Sequence, residues 1–478
     1  MSASREKKAR QERSSSGYID PKVTRAAEES AKNRRSSLLY ALLGIVFVAV
    51  AVIAVINNTH VLEHGAKAYT VGGETYTAAD ISYYYRNSYN SFVNQNQSMI
   101  SYYFDTQKDL REQECSFNGG TWFDYFADSA LRTLDSVSAI AAQAKADGFT
   151  AEEEEAAALE SNYSYVDLYA AAQGYSREQY LQAYYGPLMT TKVFERNVRL
   201  SALAEAYSAA YEESLTYSDA DIQAAYDADP TAYQSADIEF VTFAYTAESD
   251  ATDAQKEELL AECKTTADAA LERLNAGESL ETLANELDGT YYDLPYASAG
   301  TSDLLTWAFD DARMSGDTAV LPYSTNGYYV ALFHSRARND YHAVSVRHIL
   351  VETEEIAQSV LDQYLAGEQT EEAFGLLAAQ YSSDSNASSG GLYENFPRGQ
   401  MVAPFESWAY DSARKAGDTD IVQTDYGYHV MYFVGTSDTP YWKVAAEHDL
   451  HIDAYNEWFS AITEGVEGEK LDGMKYVG

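Results

Sequence analysis

Cysteine is nearly absent from this 478-residue chain, which has Cys115 and Cys263 alone. Two widely separated thiols cannot build a disulfide framework, and they have no metal-ligand spacing, so stapled mini-domains and zinc sites drop out. Bases are scarce too: 33 Lys+Arg face 74 Asp+Glu, a formal net charge of -41. A general phosphate-neutralising surface is therefore unavailable, and no nucleic-acid partner is expected. Proline, at 8 residues, is too rare for Pro-rich linkers. What is plentiful is tyrosine, 41 residues within a 46% apolar composition. That composition is globular, the length suits two to four domains of ~100-200 residues, and the tyrosines fit helix-rich domains with aromatic surfaces.

The charge is unevenly distributed around one apolar run. Leu38 to Ile56 is 19 residues without a charge, close to the ~20 that an α-helix needs to cross the hydrocarbon core. A cleaved signal peptide would have an apolar region of only ~7-15 residues, and no small-residue cleavage site precedes Asn57-Asn58-Thr59-His60. The reading is an uncleaved transmembrane helix at 38-56. Residues 1-37 carry ten Lys/Arg and five acids, net +5, leaving 23 bases against 69 acids in the remainder. The positive-inside rule keeps such a basic tail cytoplasmic and the C-terminal part extracytoplasmic. No Cys lies near the run, which excludes a lipid anchor on it.

Beyond the run, Gly72-Gly73 can turn a short hairpin, and Thr77 with Asp80 can cap the helix after it. Helices are expected to about residue 230. Phe123, Phe126, Ala127, Ala130, Leu131, Leu134, Val137, Ile140, Ala141 and Ala144 trace one 3.6-period stripe across 122-146, with Gly148 placed to end it. Thr150 to Glu153 and Ser176 to Gln179 read as capping boxes. Ser218 and Asp221 open a short helix that must stop before Pro230.

An internal repeat organises the remainder. Trp307-Ala-Phe-Asp-Asp-Ala-Arg-Met-Ser-Gly-Asp-Thr318 and Trp408-Ala-Tyr-Asp-Ser-Ala-Arg-Lys-Ala-Gly-Asp-Thr419 agree at eight of twelve positions. A strand follows each, at Gly327 and at Gly427, and an amphipathic helix with an Ala-Gly-Glu turn precedes each. Two tandem modules are expected, at about 236-335 and 344-437. Tyr441 to Thr463 then reads as a helix whose apolar positions need a groove or a bundle.

The second module opens with Val344-Ser-Val-Arg-His-Ile-Leu-Val351, where alternation puts Val346, His348 and Leu350 on one strand face. It continues through Tyr381-Ser-Ser-Asp-Ser-Asn-Ala-Ser-Ser-Gly-Gly391 and Phe396-Pro-Arg-Gly-Gln-Met-Val-Ala-Pro-Phe405, and closes with Thr424-Asp-Tyr-Gly-Tyr-His-Val-Met431. In this order the segments resemble the parvulin family of peptidyl-prolyl cis/trans isomerases, over about 94 residues. The resemblance implies a four-stranded antiparallel sheet with flanking helices. It implies a catalytic set of His348 and His429 as the central pair, Asp384 at the family's Cys/Asp position and Thr424 beside the second histidine. Met401 and Phe405 look like the wall of a proline pocket, with Gln400, Tyr393 and Tyr426 as further substrate contacts.

The chemistry suits those residue types. Rotation about an Xaa-Pro amide meets a barrier of ~18-20 kcal/mol because conjugation is lost on twisting. An apolar pocket that grips the proline ring, with polar groups placed for the twisted amide, favours the transition state over either ground state. No covalent step, cofactor or metal is needed. The two histidines are expected to shape the site more than to transfer protons.

The match has departures. The family's usual Gly-Gly-Asp-Leu-Gly is here Gly390-Gly391-Leu392-Tyr393-Glu394, and Glu352-Thr353-Glu354-Glu355 supplies no basic cluster for a phosphorylated residue before proline. Module one has Phe243 or a neighbour where His348 falls, Tyr329 where His429 falls, and no Gly-Gln-Met segment. It is expected to be inactive and to serve for spacing or client contact; Tyr291, Tyr292 and Tyr296, if exposed, would offer aromatic contacts to unfolded chains, with ordinary rim residues as the alternative. Residues 66-235, with 441-465 returning onto them, resemble the helical chaperone portion of extracytoplasmic foldases and surface-protein chaperones.

The expected fold class is therefore α+β: a basic tail (1-37), a transmembrane helix (38-56), a helical chaperone-like domain (66-235), a degenerate parvulin-like module (236-335), an isomerase module (344-437) and a C-terminal helix (441-465). The expected function is isomerase and chaperone action on unfolded exported polypeptides at the outer membrane face, with a non-catalytic holdase as the alternative.

Overall fold

The computed structural model describes residues 65-478; the 38-56 run and its basic tail lie outside the described residues. Among the described residues no helix is long and apolar enough to cross a membrane. The chain divides into two units, residues 65-216 with His451-Gly478 and residues Tyr217-Leu450.

The first unit starts with the hairpin β1 (Lys67-Val71) and β2 (Glu74-Thr77). Gly72 and Gly73 turn it at φ +59° and +81°, the paired positive φ of a type I′ turn. Thr77 and Asp80 form the capping box of α1 (Ala78-Gln95). Asp80 is fully buried yet satisfied: its carboxylate accepts from Thr77 N-H at 2.7 Å and from Asn197 at 2.9 Å, and it pairs with Arg196. After a single helical turn at Ile100-Tyr103 and a 3-10 turn at Leu110-Glu112 come four longer helices, α2 (Trp122-Ala146), α3 (Glu152-Gln173), α4 (Arg177-Tyr185) and α5 (Thr191-Ser214). The stripe on α2 is buried from Phe126 to Ala144 except at half-buried Val137, and Gly148 takes φ +72° just past its end. Ser176 and Gln179 cap α4 reciprocally.

Thr150 does not cap α3. The N-cap is Ala151, without a side-chain bond, and Ala151 is buried against Ala141, Ala144 and Leu203. Packing sets the start of this helix, while Glu152 to Glu155 in its first turn complement the helix dipole.

The second unit begins with α6 (Asp219-Ala228), capped by Ser218 and Asp221. It then lays down the same series of elements twice. The first is β3 (Gln234-Ala244), α7 (Asp253-Asn275), α8 (Leu280-Glu286), β4 (Thr290-Ser298), α9 (Asp303-Ala308), β5 (Thr318-Tyr323) and β6 (Gly327-Arg338). The second is β7 (His342-Val351), α10 (Glu354-Ala366), α11 (Glu371-Tyr381), β8 (Leu392-Phe396), α12 (Ala403-Ala409), β9 (Thr419-Thr424) and β10 (Gly427-Pro440). The sheets run β4-β3-β6-β5 and β8-β7-β10-β9, antiparallel throughout. Each has two apolar faces. In the second sheet Ile349, Val351 and Val430 meet Tyr364 and Phe374 of α10 and α11. The opposite face puts Val344, Val346, Met431 and Phe433 against Phe405 and Trp408 of α12.

Strand register refines the correspondence between the two series. Val330 faces Val241 as Val430 faces Ile349, so Phe240 stands where His348 does, three residues before Phe243. Tyr329 stands at His429 and Tyr323 at Thr424. These rings fill the first sheet's equivalent site, Tyr329 meeting Phe240 edge-on at 5.4 Å and Tyr323 at 4.9 Å. Tyr292 is not exposed; it is buried and stacked on Phe240 at 4.8 Å.

The chain ends with α13 (Tyr441-Thr463) and β11 (Glu469-Lys470). Up to Leu450, α13 belongs to the second unit, where Trp442 packs with Ile222 and Tyr233; from His451 it belongs to the first, where Trp458 stacks on Tyr211 at 4.6 Å. β11 pairs antiparallel with β1, adding a third strand to the hairpin.

Candidate active site

Alternation along β7 sends Val344, Val346 and His348 to the α12 face, and alternation along β10 sends His429, Met431 and Phe433 to the same face. The two histidines are diagonal neighbours on adjacent strands. His348 is 1% exposed and His429 5%. Their Nδ1 atoms are 3.0 Å apart, and His429 Nε2 is 2.8 Å from Thr424 Oγ1.

One tautomer order suits the network. Thr424 Oγ1 accepts the Tyr426 backbone N-H at 3.1 Å, and its hydroxyl is free to donate to His429 Nε2. His429 then donates from Nδ1 to His348 Nδ1, and His348 carries its proton on Nε2. That nitrogen makes no hydrogen bond, and Asp384 Oδ2 stands 3.7 Å from it. The reverse order would aim a lone pair at a carboxylate. Burial lowers the pKa of both rings, so both are neutral at pH 7.

A tight loop places Asp384. Leu350 N-H donates to Ser382 Oγ at 3.1 Å, Ser383 N-H and hydroxyl both donate to Leu350 O at 2.9 Å, and Asn386 N-H donates to Asp384 Oδ1 at 3.1 Å. Gly391 closes the loop, its carbonyl accepting His348 N-H at 2.9 Å. Only glycine fits there: φ is +67°, and a Cβ would stand 2.1 Å from the His348 carbonyl oxygen. The changed residues after Gly391 form β8, so the altered motif still builds an edge strand.

Phe405, 2% exposed, presents its ring edge-to-face to both histidines at 5.4 Å. Met401 packs half-buried in the same apolar cluster. Tyr393 lies 5.2 Å from the His348 ring, its phenol pushed up to about 12 by burial and by the nearby Asp384 carboxylate. Tyr426 is half-buried in the β9-β10 turn, and Gln400 is exposed on the loop before α12. The structure thus gathers His348, His429, Thr424, Asp384, Phe405 and Tyr393 around one centre and leaves Gln400 at its margin. Ser382, Ser383 and Asn386 also belong to this site; their place in a polar loop after a helix is the signal they carry in the sequence. The centre holds no His/Cys/Asp/Glu cluster suited to a metal, nor does any other place among the described residues.

Residues 330-435 match the PPIC-type PPIASE domain family. Foldase protein PrsA 1 of Listeria innocua serovar 6a is 38% identical over 92 residues, 19% of this chain and 30% of that protein. Foldase protein PrsA of Geobacillus sp. strain WCH70 is 31% identical over 197 residues, 40% of this chain and 61% of that protein. The chain therefore spans between about a third and three-fifths of these relatives' length. Among solved structures, peptidylprolyl isomerase PrsA from Bacillus anthracis aligns with a TM-score of 0.20 and 27% identity, over 26% of this chain and 58% of that one.

Proposed function

We propose that this chain is a parvulin-type peptidyl-prolyl cis/trans isomerase that assists the folding of exported polypeptides. Its second sheet carries the catalytic centre and its first sheet is a parvulin-like module without one. The observation that carries the reading is the buried neutral pair His348-His429 set against Phe405.

The proline ring of an Xaa-Pro segment packs on Phe405 and Met401, and the twisting amide lies toward the histidine face. Neutral, mutually bonded rings cost no charge burial and keep their orientation as the amide turns. His348, Asp384 and Thr424 supply fixed polar groups whose orientation is set before substrate arrives, which is where such a site gains over water. The first sheet has Phe240, Tyr329 and Tyr323 at the matching places and Leu304 where the repeat puts Phe405, so it offers no comparable polar groups.

The helical unit supports a second role, holding unfolded chains. Tyr102 is 81% and Phe117 53% exposed on the rim of an aromatic cluster, and exposed apolar patches of this kind mark contact surfaces. The 19-residue run at 38-56 with its +5 tail supports a single-pass anchor with the N-terminus cytoplasmic and the rest outside.

The test is isomerisation of an Xaa-Pro peptide by the full chain. Catalysis should be lost in His429→Asn and kept in Tyr329→Phe. A chain without catalysis, or equal loss in both variants, would leave only the holding role.

A further inference from the structure

The segment that leads into the proline pocket is held from outside its own sheet. Residues 397-402 connect β8 to α12, and the Arg398 guanidinium lies among three tyrosine rings, 4.1 Å from Tyr410, 5.4 Å from Tyr296 and 5.9 Å from Tyr341. Tyr410 follows α12, Tyr341 sits in the connection between the sheets, and Tyr296 is on β4 of the first sheet.

The rings are themselves fixed. Tyr296 meets Tyr341 edge-on at 5.7 Å, and Tyr341 stacks on Tyr441 at 5.5 Å with 10° between planes. The Tyr341 hydroxyl accepts the Arg398 backbone N-H at 3.2 Å. Gly399 then passes so close to β4 that a Cβ would stand 3.0 Å from the Tyr296 Cβ and carbonyl oxygen. Its N-H donates to Glu406 Oε2 on α12 at 2.7 Å. Met401 is two residues past Gly399, and Phe405 lies beside Glu406.

We infer that Tyr296 of the first sheet is a positioning residue for the second sheet's proline pocket, acting through Arg398 and Gly399 on Met401 and Phe405. The inference rests on reading the second sheet as an isomerase. A binding wall built on a loop is only as well placed as what supports it, and here the support is an aromatic cage on the neighbouring sheet. A guanidinium held against several ring faces loses little further freedom, and its planar shape resists rotation as an ammonium would not. The first sheet, whose own site is filled by aromatic rings, thereby contributes to catalysis without touching substrate.

The test uses the full chain and an Xaa-Pro peptide, with KM and kcat measured separately. A looser pocket weakens ground state and transition state together, so KM rises while kcat holds. Losing one cation-π partner should raise KM between roughly twofold and thirtyfold in Tyr296→Ala. Tyr296→Phe, which keeps the ring, should retain the KM of the unaltered chain. Arg398→Ala, which loses all three ring contacts, should raise KM at least as far as Tyr296→Ala, and the double variant should be no worse than Arg398→Ala alone.

An unchanged KM in Tyr296→Ala, or additive effects in the double variant, would overturn the inference. If the unaltered chain shows no turnover, the isomerase reading fails on its own. The positioning role is then read from the Met401 methyl resonance, which must shift in Tyr296→Ala and stay in Tyr296→Phe; no shift in the first would overturn it.

Discussion

Gly391→Ala puts a single methyl group where the site is least able to receive it. The residue is at φ +67°, and the new Cβ would stand 2.1 Å from the His348 carbonyl oxygen and 3.1 Å from the Ala378 Cβ. Gly417 provides the control, because it is at φ +92° with nothing within 4 Å of the same Cβ. Both substitutions incur the left-handed strain of an L-residue, about 1-2 kcal/mol. Only Gly391→Ala also forces β7 away from the loop and breaks the 2.9 Å bond from His348 N-H to Gly391 O. A buried donor left unsatisfied costs a further ~1-3 kcal/mol. Urea denaturation should therefore place Gly391→Ala about 2 kcal/mol or more below Gly417→Ala. Isomerase activity should fall at least tenfold in the first, since His348 moves with its strand, and hold in the second. Equal stabilities with unchanged activity would refute the reasoning.

Other perturbations follow from the same geometry. Phe405→Leu copies what the first series carries at Leu304, so the fold should survive at a cost of about 1.5 kcal/mol or less. Activity should nevertheless drop between roughly twofold and twelvefold from the lost aromatic contact, worth ~0.5-1.5 kcal/mol; undiminished turnover would count against the pocket. Because burial depresses both histidines below the ordinary 6.5, the unfolded chain binds more protons than the folded one below that pH. Stability should be full above pH ~6.5 and decline as pH falls through the interval toward the depressed values, by at most about 1.4 kcal/mol per pH unit per histidine. Calorimetry on His429→Asn should show a shallower decline in that window, and an identical one would contradict the burial argument. Protease added to spheroplasts should digest the part after residue 57 and spare the basic tail; protection of the C-terminal part would reverse the proposed topology.

Much of the architecture was legible because its signals are local. The α2 stripe, the Gly72-Gly73 turn and the caps at Thr77, Ser176 and Ser218 each depend on residues within one or two turns of chain. The repeat around Trp307 and Trp408 exposed the duplicated series because packing residues in α9 and α12 had been kept. His348 and His429 were legible as a pair through their flanking motifs, although their contact spans 81 positions.

What failed was long-range. β3 is apolar on both faces at Ile238, Phe240, Val241 and Phe243, so alternation could not say which residue matches His348; the pairing with β6 decides it. Tyr292 reads as a surface tyrosine until Phe240 is known to stack on it. Thr150 satisfied a capping pattern, but burial of Ala151 against α2 and α5 determined where α3 begins. The β1-β11 pairing and the Arg398 cage join segments that no local pattern connects.

Catalysis of prolyl isomerisation and the holding of unfolded chains are separated most directly by refolding kinetics. A denatured protein whose slow refolding phase is Xaa-Pro isomerisation should be refolded with the full chain well below stoichiometric amounts. The slow-phase rate should rise linearly with chain concentration, and Phe405→Ala should abolish the rise. A slow phase of unchanged rate, with refolding yield altered only near stoichiometry, would contradict catalysis.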